Sequence, residues 1–388
     1  MEEERKLILK MIDEGKISPE DGTKLLKALK SDDTASQQEQ TKTESHQKDN
    51  EPSVSGPDKG RSLSTNVNWE EGNRRQKEWN REKQRKADSA STFTSFIDNA
   101  ITKIKELDLD FNFGTYHEVH HIFQHKYAEQ TVLDVSLENG SLDVKPWDEN
   151  DIKIECKVKV YKGNSEEEAR EEFLKETVFE VEGNQLDFYT KTKSIKVQAV
   201  MYIPRRTYER IQLYTFNGYL TGESIKADSF SAKTVNGAIT LDNLNIMRCH
   251  AETLNGPLKI NGGVFDIADM NTMNGSIEIE AEIRDLEAES VNGTINGRLS
   301  LQQDARAALA ATTGSIFVTL PDHIRTEGLL KTNVGNYNYA LSDLSIIEEK
   351  KDFMQKSLRF VSNEKASPRL RLDAETKTGS ISLKPGQL

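Results

Sequence analysis

Apolar side chains in the second half of the chain fall two apart on either side of a recurring Asn-Gly pair. Ile239 and Leu241, Leu258 and Ile260, and Ile277 and Ile279 stand two and four residues after a glycine; Ala232 and Phe230, Ala251 and Cys249, and Ala288 and Leu286 stand five and seven before one. Spacing of two is strand periodicity, with alternate side chains entering one core. The pairs lie in copies of Thr/Ser-x-Asn-Gly-x-Ile/Leu: TFNGYL (215–220), TVNGAI (234–239), TLNGPL (253–258), TMNGSI (272–277) and SVNGTI (290–295). Their glycines, Gly218, Gly237, Gly256, Gly275 and Gly293, are 19, 19, 19 and 18 residues apart. Weaker echoes are LENGSL (137–142), TTGSI (312–316), TNVGNY (332–337) and TKTGSI (376–381). A fixed period near twenty marks stacked units, none of which buries its apolar face alone.

Asn-Gly is the strongest short turn signal. Nineteen extended residues are too few for a propeller blade, which takes about forty, but suit one coil of a β-solenoid with neighbouring strands roughly 4.8 Å apart. The expected fold is therefore mainly β: a β-solenoid or β-helix-like repeat domain over 111–388. Asn217, Asn236, Asn255, Asn274 and Asn292 would stack into a ladder, as in other regular sheets. Small core residues (Ala232, Ala251, Ala288) call for a flattened cross-section. These Asn-Gly positions read as structural turns; a ligand site along the ladder is the alternative.

Upstream, the pattern becomes helical. In residues 1–30, Leu7, Ile8, Met11 and Ile12 recur at helical spacing up to Gly15, and Ser18-Pro19-Glu20-Asp21 starts a second helix carrying Leu25, Leu26 and Leu29. A hairpin this small buries too little to be robust alone, so Leu7, Met11, Ile12, Leu25, Leu26 and Leu29 are expected to meet a partner or a second copy. Residues 31–68 are polar and read as a flexible tether. Residues 69–110 hold two charged or amphipathic segments. The first, 73–86 with Arg74, Arg75 and Lys77, has seven basic and two acidic residues, a local charge of +5. The second places Phe93, Phe96, Ile97, Ala100, Ile101, Ile104 and Leu107 on one helical face. That face is expected to cap the open end of the solenoid; the alternative is attachment, with the basic stretch, to an anionic membrane surface.

The whole chain of 388 residues is too long for one ordinary core. Its net charge of −12 argues against a dedicated nucleic-acid binder. Cys156 and Cys249, one of them at a core position, read as buried thiols rather than a bridge. The charged start MEEERKLILKMIDEGK is unlike a signal peptide, and no window has eighteen apolar residues, so a cytoplasmic location is expected. His117-Glu118-Val119-His120-His121 matches the H-E-x-x-H zinc pattern, which needs a helix to bring both histidines to one metal. The surrounding FNFGTYHEVHHIFQHKY alternates like a strand, where positions i and i+4 are about 13 Å apart. No phosphate-binding loop, nucleophile elbow or dinucleotide fingerprint occurs. The expectation is a protein without catalytic residues, cofactor or metal.

The hairpin LILKMIDEGKISPEDGTKLLKAL resembles the short N-terminal module of the LiaX/YvlB-like proteins of Gram-positive bacteria, and the T-x-N-G-x-I coils resemble the adhesin-like β-solenoid domain at their other end. Hairpin, polar tether and solenoid follow in that family's order over nearly the whole chain. The resemblance implies a non-enzymatic role in cell-envelope stress alongside membrane proteins of the phage-shock type. A surface adhesin or peptide binder at the cell surface is the other expectation it carries.

Overall fold

The computed structural model describes residues 92–105, 115–161, 163–352 and 355–386. The hairpin (1–30), the tether (31–68) and the basic stretch with Arg74, Arg75 and Lys77 lie outside the described residues, as does the side chain of Phe93. No helix among the described residues is long and apolar enough to cross a membrane.

Helix α1 (Thr92–Lys105) comes first in the described chain. Strands β1 (His117–His125), β2 (Val132–Trp147) and β3 (Ile152–Val160), helix α2 (Glu166–Glu176), and strands β4 (Thr177–Glu182), β5 (Gln185–Thr190) and β6 (Ile195–Pro204) build the N-terminal end. The centre consists of β7 (Thr207–Asn217), β8 (Leu220–Glu223), β9 (Lys226–Asn236), β10 (Ile239–Asn255), β11 (Leu258–Asn274), β12 (Ile277–Asn292) and β13 (Ile295–Ser300). These strands pair in parallel at the period read from the sequence: Ile239 lies beside Leu258, Leu258 beside Ile277, Asn236 beside Asn255. The shorter period is absorbed between Asn261 and Val264, where the β11–β12 register shifts by one and Gly262 and Gly263 take positive φ. Those two glycines, an unrepeated oddity in the sequence, make the bulge that keeps later coils in phase.

The core is a continuous column through the coils. Phe230, Ala232, Cys249, Ala251, Leu286 and Ala288 from one wall and Ile239, Leu241, Leu258, Ile260, Ile277 and Ile279 from the other are all buried. Gly222 takes a core position because the Phe230 ring already fills the space, its Cζ lying 3.3 Å from where a Cβ would stand. Gly297, the equivalent position four coils on, has nothing within 4 Å of an added Cβ. Both cysteines are buried free thiols, and burial pushes the Cys249 thiol up to about 12.

Spatial order departs from chain order at both ends. β2 pairs in parallel with β5 and β6 on one side and with β7 and β8 on the other, so the first coil in sequence lies between the second and the third. The C-terminal elements are β14 (Ala305–Thr313), β15 (Ile316–Pro321), β16 (Arg325–Val334), β17 (Tyr337–Tyr339), β18 (Leu344–Lys351), β19 (Lys356–Ser362), β20 (Arg369–Thr378) and β21 (Ile381–Gly386). β20 and β21, the last coil in sequence, fit between β14/β15 and β16/β17. The chain skips one coil position, turns through the β18–β19 hairpin, and returns to fill the gap. A repeat motif identifies a coil without naming its neighbours, so this threading is invisible in the sequence.

Antiparallel strands close the ends: β3 and β1 beyond β6, β4 beyond β5, and β19 and β18 beyond β16. Helix α2 also covers the N-terminal end, burying Ala169 and Phe173, with the Phe173 ring 6.0 Å from that of Phe123. Its start is fixed by Ser165, whose Oγ accepts from the Glu168 amide at 3.2 Å, while the Glu168 carboxylate accepts from the Asn164 amide at 2.9 Å. The expected role of the amphipathic helix as an end cap is therefore corrected: strands and α2 close the ends, and α1 lies on the flank beside the Asn-Gly turns.

Candidate functional site

Each residue of Thr-x-Asn-Gly has a separate physical task. The Thr or Ser hydroxyl is fully buried and donates to the glycine carbonyl of the preceding coil: Thr215 to Gly140 at 2.8 Å, Thr234 to Gly218 and Thr253 to Gly237 at 3.0 Å, Thr272 to Gly256 at 3.1 Å, Ser290 to Gly275 at 3.0 Å. The Asn side chains form a ladder in which Asn236, Asn255, Asn274 and Asn292 each donate Nδ2 to the Oδ1 of the Asn one coil back, all at 2.8 Å. The glycines permit close stacking, since a Cβ on Gly256 would land on the Gly237 carbonyl. Asn217–Gly218 to Asn292–Gly293 are thus a self-satisfied structural seam, with the interior amides spent on one another.

The remaining position, x, points away from the core. Phe216, Val235 and Leu254 are nevertheless buried, in a cluster of their own with Phe96 and Ala100 of α1, and Ile97, Tyr214 and Met273 pack against it. Ile101 is half-buried. With Val291, these x residues form an apolar stripe over five coils. It is bounded by Glu138 upstream and by Thr312, Lys377 and Asn333 in the C-terminal coils. Four coil steps span about 19 Å and a helix of this length about 21 Å. The signal was present in the sequence, as apolar residues beside Asn-Gly that the core alternation leaves unexplained.

A charged cluster adjoins this contact. Glu252 is fully buried, with Lys233 Nζ 2.6 Å from one carboxylate oxygen and His250 Nε2 2.8 Å from the other. The Lys233 ammonium also stands 5.7 Å from the centre of the Phe96 ring. Burial alone would raise the Glu252 carboxyl, but His250 and Lys233 outweigh it and hold it below the usual carboxylate range. Burying Phe96 and Ala100 contributes about 2–4 kcal/mol, comparable with the cost of ordering a few residues.

The H-E-x-x-H string lies on β1 and its residues disperse. His121 faces the core with its ring 4.5 Å from Phe123 and 6.1 Å from Phe173, and burial, then Arg170, lowers its affinity for a proton. His120 is exposed, and Glu118 pairs with Lys157 at 3.0 Å and with His120 at 3.1 Å. Strand geometry separates His117 from His121 by about 13 Å, beyond joint reach of one zinc.

Residues 131–384 match the Toastrack DUF4097 family and residues 3–34 a SHOCT-like domain. The chain is 39% identical, over 388 residues and the full length of both, to the uncharacterized protein YvlB of Bacillus subtilis strain 168. Among solved structures, a "putative adhesin" of Bacteroides fragilis is 13% identical with a TM-score of 0.41, over 68% of this chain and 97% of that one. A "putative cell adhesion protein" of Clostridium sporogenes is 12% identical with a TM-score of 0.25, over 69% and 100%. On the family match over its β-solenoid and the full-length identity to YvlB, the chain belongs to the Toastrack DUF4097 family.

Proposed function

We propose that this protein is a non-enzymatic scaffold of the bacterial envelope-stress response, working at the cytoplasmic side of the membrane. The carrying observation is that the repeat's polar groups are consumed in stacking: Thr hydroxyls on glycine carbonyls and Asn amides on one another. A frame of this kind presents fixed surfaces rather than reactive groups. The SHOCT-like module at residues 3–34 and the Toastrack domain at 131–384 are separate family matches joined by a polar segment. That division suits an adaptor whose hairpin, through Leu7, Met11, Ile12, Leu25, Leu26 and Leu29, captures a phage-shock-type membrane protein or a second copy. The tether lets both modules act together. In detergent-solubilised membranes, the full chain is expected to co-purify such a membrane protein, and Leu25→Asp to lose it with the thermal melt unchanged. Equal capture by both chains would refute the reading.

A further inference from the structure

The apolar face of α1 is already in use. Phe96 and Ala100 are buried on the stripe of Phe216, Val235 and Leu254, and Ile97 packs at its margin. The same face is what an amphipathic helix inserts into a lipid surface, and the residues just before it carry the charge such a surface attracts: +5 over 73–86 in a chain of net −12. One set of side chains cannot satisfy both contacts at once.

We propose that Thr92–Lys105 is a two-position element, docked on the Asn-Gly flank in solution and transferred to an anionic lipid surface when it leaves. Three features support this. First, among the side chains described for the helix, the buried hydrophobics are Phe96 at 8% and Ala100 at 2%. Second, the stripe's apolar character is not required by the solenoid, because the same turn position holds Thr312, Lys377 and Asn333 in coils that stack equally well. Of the apolar residues at x, Phe216, Val235 and Leu254 share the cluster with α1 and Met273 packs against it, so most of the stripe serves the helix. Third, the last turns of the helix add Lys103 and Lys105, and its first turn carries no acid, so the released segment stays cationic. The flank acts as a holdfast that keeps a membrane-binding helix folded away. This device is independent of what the hairpin binds.

The test uses the full chain and a Val235→Ser/Leu254→Ser variant, substitutions for which the polar x residues of other coils are precedents. Two readouts are taken: trypsin cleavage at Lys103 and Lys105, and flotation with vesicles of phosphatidylglycerol and phosphatidylcholine in equal parts. The variant is expected to be cleaved several-fold faster and to float several-fold more than the natural chain. Flotation is expected to fall at about 0.5 M salt, where screening is nearly complete within a few ångströms. Adding Phe96→Glu to the variant is expected to abolish flotation while leaving cleavage fast. Unchanged cleavage would overturn the docking half; fast cleavage without added flotation would overturn the lipid half. Flotation that survives Phe96→Glu or is equal on pure phosphatidylcholine vesicles would overturn the helix as the binding element. Loss of partner capture by Leu25→Asp tests the adaptor reading separately.

Discussion

Two glycine-to-alanine substitutions, twenty-two residues apart, should have opposite effects. At Gly275 an added Cβ would land on the carbonyl oxygen of Gly256 and stand only 3.0 Å from Thr272 Oγ1, and the neighbour it strikes is backbone in a stacked ladder. Relief requires separating two coils locally, which strains the Gly275 amide bond to the Asn292 carbonyl at 3.1 Å and the Thr272 bond to the Gly256 carbonyl at 3.1 Å. Backbone strain of about 1–3 kcal/mol and two weakened buried hydrogen bonds at about 1 kcal/mol each give a loss of roughly 3–5 kcal/mol. At Gly297 a Cβ meets nothing within 4 Å in a core-facing position. The methyl gains about 0.8 kcal/mol of burial and about 0.4–1 kcal/mol from a less flexible unfolded chain, a net stabilisation near 1–2 kcal/mol. Urea unfolding followed by circular dichroism measures both. Gly275→Ala should move the midpoint down and Gly297→Ala slightly up. Equal midpoints for the two would refute the claim that the repeat glycine exists for close coil contact.

Ala311 stands where other coils have Thr or Ser, leaving the Gly293 carbonyl without that hydroxyl; Ala311→Thr should stabilise by about 1 kcal/mol and Thr253→Val destabilise by about 1–3 kcal/mol in thermal melts. Glu252 has a depressed folded-state pKa, so its contribution is present above the ordinary value of 4.5 and lost as pH falls through the lower one. Hydrogen exchange of α1 amides, corrected for intrinsic rates, should therefore accelerate below about pH 4.5, and Glu252→Gln should remove that dependence. His121 is likewise depressed, but for a base the sign reverses the charged form: the unfolded chain takes the proton first, and stability falls as pH drops below 6.5. Urea midpoints at pH 7.5 and 5.5 should differ less in His121→Phe than in the natural chain.

The solenoid was legible because its information is periodic and local. Alternation fixed which residues enter the core, and Asn-Gly spacing fixed the coil length. The ladder followed from stacking equal coils, and the strand character of 117–125 followed from its alternation. The order of coils was not legible, because the last coil carries the same motif wherever it is threaded. The place of α1 was missed for a different reason. Phe96 and Ala100 announce an apolar face but not its partner, and that partner lies in single residues spaced 19 apart, Phe216, Val235 and Leu254, each of which looks like an arbitrary x in its own turn. Glu252 was equally hidden, since its ion pair with Lys233 is local only across coils.

The scaffold account is tested most directly by complementation in Bacillus subtilis lacking its YvlB relative, reading an envelope-stress reporter under a cell-wall-directed antibiotic. Three chains are compared at equal abundance: the natural one, Leu25→Asp, which alters the proposed partner-binding segment, and Glu118→Gln, which removes the carboxylate of the H-E-x-x-H string. The account predicts that Glu118→Gln restores the response as fully as the natural chain and that Leu25→Asp does not. Restoration by Leu25→Asp with failure of Glu118→Gln would contradict it.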